Sequence, residues 1–215
     1  MIDPADVAER LVSVRERLDR SGGEGVRIIA VTKAFGADAV AAAAAAGLRD
    51  IGESYAQETI AKLDGRDPGV TVHFIGGLQR NKVRKLAGVV DVWQSVDRAE
   101  LIEEIARRDP GASIMLQVDI TGESSKGGCA PAAIAPLLEA ASSAGLDTIG
   151  LMGIGPIGDA EDARPGFRRL RELVTRFGLR ECSMGMTADL EVAVEEGTTM
   201  IRVGTALFGP RPARQ

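Results

Sequence analysis

Along residues 4–20 (PADVAERLVSVRERLDR), Val7, Leu11, Val14 and Leu18 recur every three or four positions with charged residues between them, which predicts an amphipathic helix. Ser21-Gly22-Gly23 stops it. From residue 27 the pattern changes to short β-rich apolar runs at 27–32, 49–52, 71–75, 89–93, 113–118, 147–152, 179–183 and 199–203. Between them lie segments of helical character at 37–46, 55–63, 79–87, 98–108, 131–144, 163–177 and 187–196. The alanine tract at 41–46 reads as a close-packed helix face, since alanine is the strongest helix former.

Eight strands separated by seven helices imply parallel crossovers. An open doubly wound sheet would hold as many strands, but the G-x-G-x-x-G turn of dinucleotide folds is missing. The expected architecture is α/β: a single (β/α)8 TIM-like barrel over residues 1–215 with an extra N-terminal helix. The stretch 121–128 (TGESSKGG) reads as a loop inside that domain, not as a boundary.

Composition narrows the function. A net charge of -5 argues against an electrostatic grip on nucleic acid. No 18-residue apolar stretch occurs and the first residues, MIDPADVAER, carry acids where a signal peptide is basic, so no membrane association and a cytoplasmic location are expected. Cys129 and Cys182 form no metal motif, and with His73 the only histidine no metal site is expected. Both cysteines read as small buried residues, His73 as a satisfied strand histidine and Trp93 as a packing residue. The basic run 80–85 (RNKVRK) reads as a solvated helix face.

The C-terminal strand ends of such a barrel form its active face. In order they carry Thr32-Lys33, Glu53-Ser54, Gly76-Gly77, Gln94-Ser95, Asp119, Met152-Gly153, Ser183 to Met186 and Arg202 to Thr205. One lysine, one arginine, two carboxylates and several glycines converge there. The loops after strands 7 and 8, "CSMGMTADLE" and "MIRVGTALFG", are where these barrels place a phosphate cradle, with Thr187 as a helix cap; glycine turns needed only for packing are the alternative. A strand-end lysine is commonly solvated or salt-bridged. Lys33, held among apolar walls near Arg202, would instead be a nucleophile toward a carbonyl, and a phosphate-bearing aldehyde such as pyridoxal 5′-phosphate would suit the pair of features.

Seven ordered segments carry a resemblance: "AVTK" (30–33), "IGESYAQE" (51–58), "HFIGGLQRNKV" (73–83), "QSVD" (94–97), "GLMGI" (150–154), "SMGMTADLE" (183–191) and "IRVGTALFG" (201–209). With them the chain resembles the pyridoxal phosphate homeostasis proteins, single-domain relatives of the alanine racemase N-terminal barrel. The resemblance implies pyridoxal 5′-phosphate held on Lys33 as a Schiff base, the phosphate on Ser183, Gly185, Thr187, Gly204 and Thr205, and Arg202 facing the pyridine nitrogen. Ser54 stands where the family carries asparagine, and a hydroxyl reaches less far than an amide.

The function so implied is intracellular homeostasis of the cofactor without catalysis, with no catalytic residue assigned. Apo enzymes that use pyridoxal phosphate are the candidate recipients, and the chain is expected to be a monomer or weak dimer. Two alternatives remain: an amino-acid racemase, which needs a second base opposite the lysine, and a cofactor-free Schiff-base aldolase acting on a sugar phosphate.

Overall fold

The computed structural model describes residues 1–63, 69–123 and 126–211. Part of the 121–128 loop, Ser124 and Ser125, therefore lies outside the described residues.

Eight parallel strands close into one barrel: β1 (Arg27–Val31), β2 (Asp50–Glu53), β3 (Thr71–Phe74), β4 (Val92–Val96), β5 (Ser113–Gln117), β6 (Asp147–Met152), β7 (Glu181–Ser183) and β8 (Met200–Val203). Strands pair in sequence order, and β8 returns to β1 with Ile29 opposite Arg202. The crossovers are α2 (Ala37–Ala45), α3 (Ala56–Leu63), α4 (Arg80–Leu86), α5 (Ala99–Arg108), α6 (Ile134–Ser143), α7 (Arg164–Arg176) and α8 (Leu190–Glu195). The preceding helix, α1 (Pro4–Arg20), packs on α2, α8 and a short final helix, α9 (Thr205–Phe208). Its start is set by Asp3, whose carboxylate accepts the Ala5 amide at 2.9 Å, with Pro4 in the first turn. The buried face is the expected one, Val7, Leu11, Val14 and Leu18.

Burial follows from closure. A parallel sheet wrapped in helices is covered on both faces, so its strands read as continuous apolar runs. Inside the barrel Ile29, Val92, Met115, Met152 and Met200 form a cluster separate from the larger core between strands and helices. Trp93 faces that larger core, fully buried against Phe74, with its indole N–H donating to Asp109 at 3.0 Å.

Three of the boundaries that differ from the sequence pattern bear on the site. β4 begins at Val92, because the amides of Val89 and Val90 both close onto the Leu86 carbonyl in the turn that ends α4. The shift draws Gln94 and Ser95 off the rim into the buried strand. β2 likewise extends to Glu53, which is fully buried. The helix after β7 starts at Leu190, three residues later than expected, so Thr187 is no cap: Asp189 takes that position, and its carboxylate accepts the Met186 amide at 2.6 Å. Among the described residues no helix is long and apolar enough to cross a membrane.

Candidate functional site

A turn directly after β1 carries Lys33. The Phe35 amide closes it on the Thr32 carbonyl at 3.1 Å, and Ala34 adopts φ +67°, the left-handed region a type II turn demands at its third position. Ala34 is the one non-glycine residue with positive φ among the described residues. A buried ionic cluster holds this turn. Lys62 of α3 donates to the Thr32 carbonyl at 2.8 Å and to carboxylate oxygens of Glu53 and Glu58 at 2.6 Å each. The same Glu58 oxygen accepts the Ala34 amide at 2.6 Å, and the Thr32 hydroxyl donates to Glu53 at 2.6 Å.

Lys33 itself is half-buried and has no hydrogen bond or ion pair among the described residues. Burial, then the nearby Arg211 and Arg202 cations, lower the pKa of its amine, with Glu53 and Glu58 opposing. A larger share of the amine is therefore neutral near pH 7 than in an exposed lysine.

Lys33 lines a cavity of about 260 Å³ at the C-terminal end of the barrel. Val31, Ile75, Ile154 and Met186 provide its apolar lining; Thr187, Ala188, Gly204 and Thr205 come from the loops after β7 and β8; Arg202 and Arg211 are its other cations. The volume lies just below the roughly 300 Å³ at which ligand pockets begin, a size that suits a small molecule. A hollow of about 380 Å³ lies at the opposite end, lined by Arg15, Asp19, Arg27, Arg49 and Asp50 among others. Its Arg27 is already paired with Glu181 and Asp50, and it holds no lysine. The C-terminal cavity is the candidate.

The two loops meet through their threonines, the Thr205 hydroxyl donating to that of Thr187 at 3.3 Å. Among the described residues the amides of Thr187, Ala188, Thr205 and Ala206 have no hydrogen-bond acceptor in the protein, which leaves four donors for an anion. Helix α1 braces both loops from outside. Arg17 donates to the Thr187 carbonyl at 2.9 Å while gripping Glu191 through two bonds of 2.6 and 2.8 Å, and Arg10 reaches the Leu207 carbonyl at 3.3 Å. Gly185, at φ +90°, is obligatory, because a Cβ there would stand 2.5 Å from that of Ala193. A Cβ on Gly204 would stand 3.3 Å from the Val31 carbonyl oxygen.

Arg202 is buried, with one Nη donating to the Ser183 hydroxyl at 2.7 Å and the other to the Gly153 carbonyl at 2.8 Å. Burial pulls its pKa down to about 10, against the pull of Asp189 and Cys182, so it stays cationic at neutral pH.

Of the residues singled out by sequence, Lys33, Thr187, Arg202, Gly204 and Thr205 share the cavity. Ser183 and Gly185 stand behind it, the first holding Arg202 and the second accepting the Arg202 amide on its carbonyl at 2.9 Å. Ser54 does not line the cavity, and its buried hydroxyl has no partner. At Gly76 a Cβ would lie 2.2 Å from the Ser54 carbonyl oxygen, so only glycine fits, whereas Gly77 faces free space. Asp119 leaves the constellation, since its carboxylate accepts the Thr121 and Gly122 amides in its own loop. Lys62, Arg17 and Arg211 were not singled out. The Glu58–Lys62 spacing of four on a helix is a signal for the first; the others have none without the tertiary fold. Burial pushes the thiols of Cys129 and Cys182 up to about 11 and about 12, which keeps them protonated. No group of three or more metal-ligating His, Cys, Asp or Glu residues stands together among the described residues.

Residues 2–212 match the family model described as alanine racemase, N-terminal domain. The chain is 40% identical to a pyridoxal phosphate homeostasis protein of Pseudomonas aeruginosa, covering 96% of this chain and 94% of the relative. It is 36% identical to the protein of that name from Aquifex aeolicus, over 96% of this chain and 99% of the relative. Among solved structures it superposes with a TM-score of 0.82 on PipY of Synechococcus elongatus PCC7942 with PLP bound, at 38% identity, covering 94% of this chain and all of that one (100%).

Proposed function

The chain belongs to the pyridoxal phosphate homeostasis protein family, built on the alanine racemase N-terminal domain, and from that premise we propose that it binds pyridoxal 5′-phosphate (PLP) through Lys33 and holds it without turnover. The observation that carries this reading is an unpartnered lysine amine of lowered pKa sharing one small cavity with the free amides of Thr187, Ala188 and Thr205 and a donor-only guanidinium. That donor set fits PLP at three points: an anion, a carbonyl and a ring nitrogen that accepts. When bound, PLP supplies an aldehyde that condenses with a primary amine.

The chain's own residues divide the work. Thr187, Ala188, Thr205 and Ala206 offer amides, and two threonines their hydroxyls, to the phosphate. Gly204 keeps the approach clear, while Ser183 and Gly185 support Arg202 from behind. Arg202 would hold the ring nitrogen with N–H groups and positive charge, which would disfavour a proton there and leave the ring a weak electron sink. Ser54 is given no contact. The test is a visible absorption spectrum of the purified, PLP-loaded protein followed by borohydride reduction and peptide mapping. Label is expected on the AVTK peptide; label on Lys82 or Lys126 would refute the assignment.

The lining supports the absence of turnover in this reading. Racemisation needs a base on each face of the substrate carbon, and among the described residues the lining contains no tyrosine, histidine, cysteine or carboxylate, Lys33 being its single amine. Tyr55, the only tyrosine of the chain, does not line the cavity. Loaded protein incubated with L- or D-alanine is expected to give no racemisation above free PLP; robust Lys33-dependent racemisation would make the chain an enzyme. Gly204→Val should crowd the Val31 carbonyl and the cavity together, so that dialysis strips PLP several-fold faster than from the parent. Equal retention would place the phosphate elsewhere. Delivery of PLP to apo enzymes in the cytoplasm, by a monomer or weak dimer, completes the reading.

A further inference from the structure

The barrel interior is not uniformly apolar. A continuous line of polar side chains crosses it from Arg202, near the cavity, to the opposite end. Arg202 donates to the Ser183 hydroxyl at 2.7 Å, and Ser183 donates to Gln94 Oε1 at 2.8 Å. Gln94 Nε2 lies 2.9 Å from His73 Nδ1, and His73 Nε2 lies 2.8 Å from Asp50 Oδ1. Ser183 and Gln94 are fully buried and His73 is 1% exposed, with Met200 sulfur beside Gln94. Five strands contribute, in the order β8, β7, β4, β3 and β2, so the line crosses the lumen between β7 and β4.

Its polarity is fixed from both ends. A guanidinium can only donate, and an ionised carboxylate can only accept. Asp50 is ionised: burial opposes its charge, but the hydrogen bond from His73 and the Arg27 cation at 3.8 Å hold the carboxyl below its usual value. With Gln94 Oε1 accepting from Ser183 and a neutral ring at His73, each interior link donates away from Arg202. Serine gives its hydrogen to the Gln94 carbonyl, the Gln94 amide gives one to His73 Nδ1, and His73 gives its own from Nε2 to Asp50. One amide orientation and one imidazole tautomer satisfy every member. The opposite tautomer would set N–H against N–H at Gln94 and leave Asp50 without its donor, a costly fault at such burial.

We propose that His73, as the neutral Nε2–H tautomer, is a positioning residue for Arg202, acting through Gln94 and Ser183 to set which guanidinium N–H groups face the ring nitrogen of bound PLP. The proposal rests on the reading of Arg202 given above. His73 is bonded on both nitrogens, and the second bond leads to the cavity.

His73 is the only histidine, so protein grown with 15N-histidine reports one ring. In the full chain near neutral pH, Nε2 is expected in the protonated range and Nδ1 in the unprotonated range. Protonation at Nδ1, or an averaged pair, overturns the proposal. Gln94→Glu keeps the shape and, once ionised, only accepts at both ends, so both His73 nitrogens should then be protonated; an unchanged ring in the folded variant with that carboxyl ionised also overturns it. Ser183→Ala provides the second route, by cutting the line next to Arg202. Addition of PLP to the parent should move the Nδ1 resonance, and Ser183→Ala should abolish that movement while PLP is lost about tenfold faster on dialysis, as expected when a charge-assisted bond is misdirected. If PLP binds the parent and neither the ring nor its retention responds to Ser183→Ala, the line is structural only. Failure of the functional reading looks different: no visible band and no label on Lys33, with the tautomer of the unloaded protein unaffected.

Discussion

Lys33→Ala should abolish borohydride-fixed PLP entirely and reduce what remains to a weak complex removed by dialysis, while the fold persists. The first half follows because Lys33 is the only amine lining the cavity among the described residues. The second follows because the side chain makes no hydrogen bond or ion pair among the described residues, so its removal orphans no group; stability should stay within about 0.5 kcal/mol. The sign of the pH dependence gives a sharper check. Burial, Arg211 and Arg202 lower the Lys33 pKa in the folded state below the 10.5 of the free side chain. Between these two values the unfolded chain binds more protons, so stability rises with pH across that window. The unloaded parent should show this rise in denaturant titrations from neutral to alkaline pH, and Lys33→Ala should lose it. An identical slope in both would mean that the amine is solvated and not poised for a carbonyl.

The sequence carries the barrel well and its interior poorly, for one physical reason. A (β/α) repeat alternates two hydrophobic periods, and that alternation survives in every segment from Arg27 onward. Where strands begin is decided by turn chemistry instead: Val89 and Val90 look like strand yet close the end of α4 on Leu86. That shift of three residues matters more than its size, because it turns Gln94 from a rim residue into the middle link of a buried line. Cavity residues at strand ends, Lys33 and Arg202, were legible because the barrel rule places them. Ser54 was not, since its hydroxyl is buried and Gly76 packs against its backbone and Cβ, a contact between neighbouring loops that no one-dimensional pattern encodes. Arg17 shows the same limit. It lies 170 residues from Thr187, whose carbonyl it holds.

The largest loss of stability is expected from Lys62→Met, which keeps an unbranched side chain and removes the charge. Lys62 is 6% exposed and its partner Glu53 is fully buried, with Glu53 Oε2 having no hydrogen-bond partner even in the parent. Breaking a buried pair from one side leaves an uncompensated charge and costs about 3–5 kcal/mol. Burial already raises the Glu53 pKa above its ordinary 4.5, with Lys62 and the Thr32 hydroxyl pulling it back. Without Lys62 it rises further, and Glu53 folds as the neutral acid. A raised folded-state pKa means that the folded chain binds the extra proton, so stability is greatest below about 4.5 and falls as pH climbs through the folded-state value. The deficit of Lys62→Met should therefore shrink on acidification from about pH 8 to about pH 5. The same substitution frees the Thr32 carbonyl and loosens the grip on Ala34, whose positive φ costs roughly 1–2 kcal/mol. Condensation of Lys33 with PLP should slow as its turn relaxes, even where the variant is fully folded. Denaturant titrations at both pH values, with stopped-flow absorbance on the folded variant, separate the two effects. A deficit below about 1 kcal/mol that ignores pH would place Lys62 in water and remove the clamp from the account of how this barrel presents its lysine.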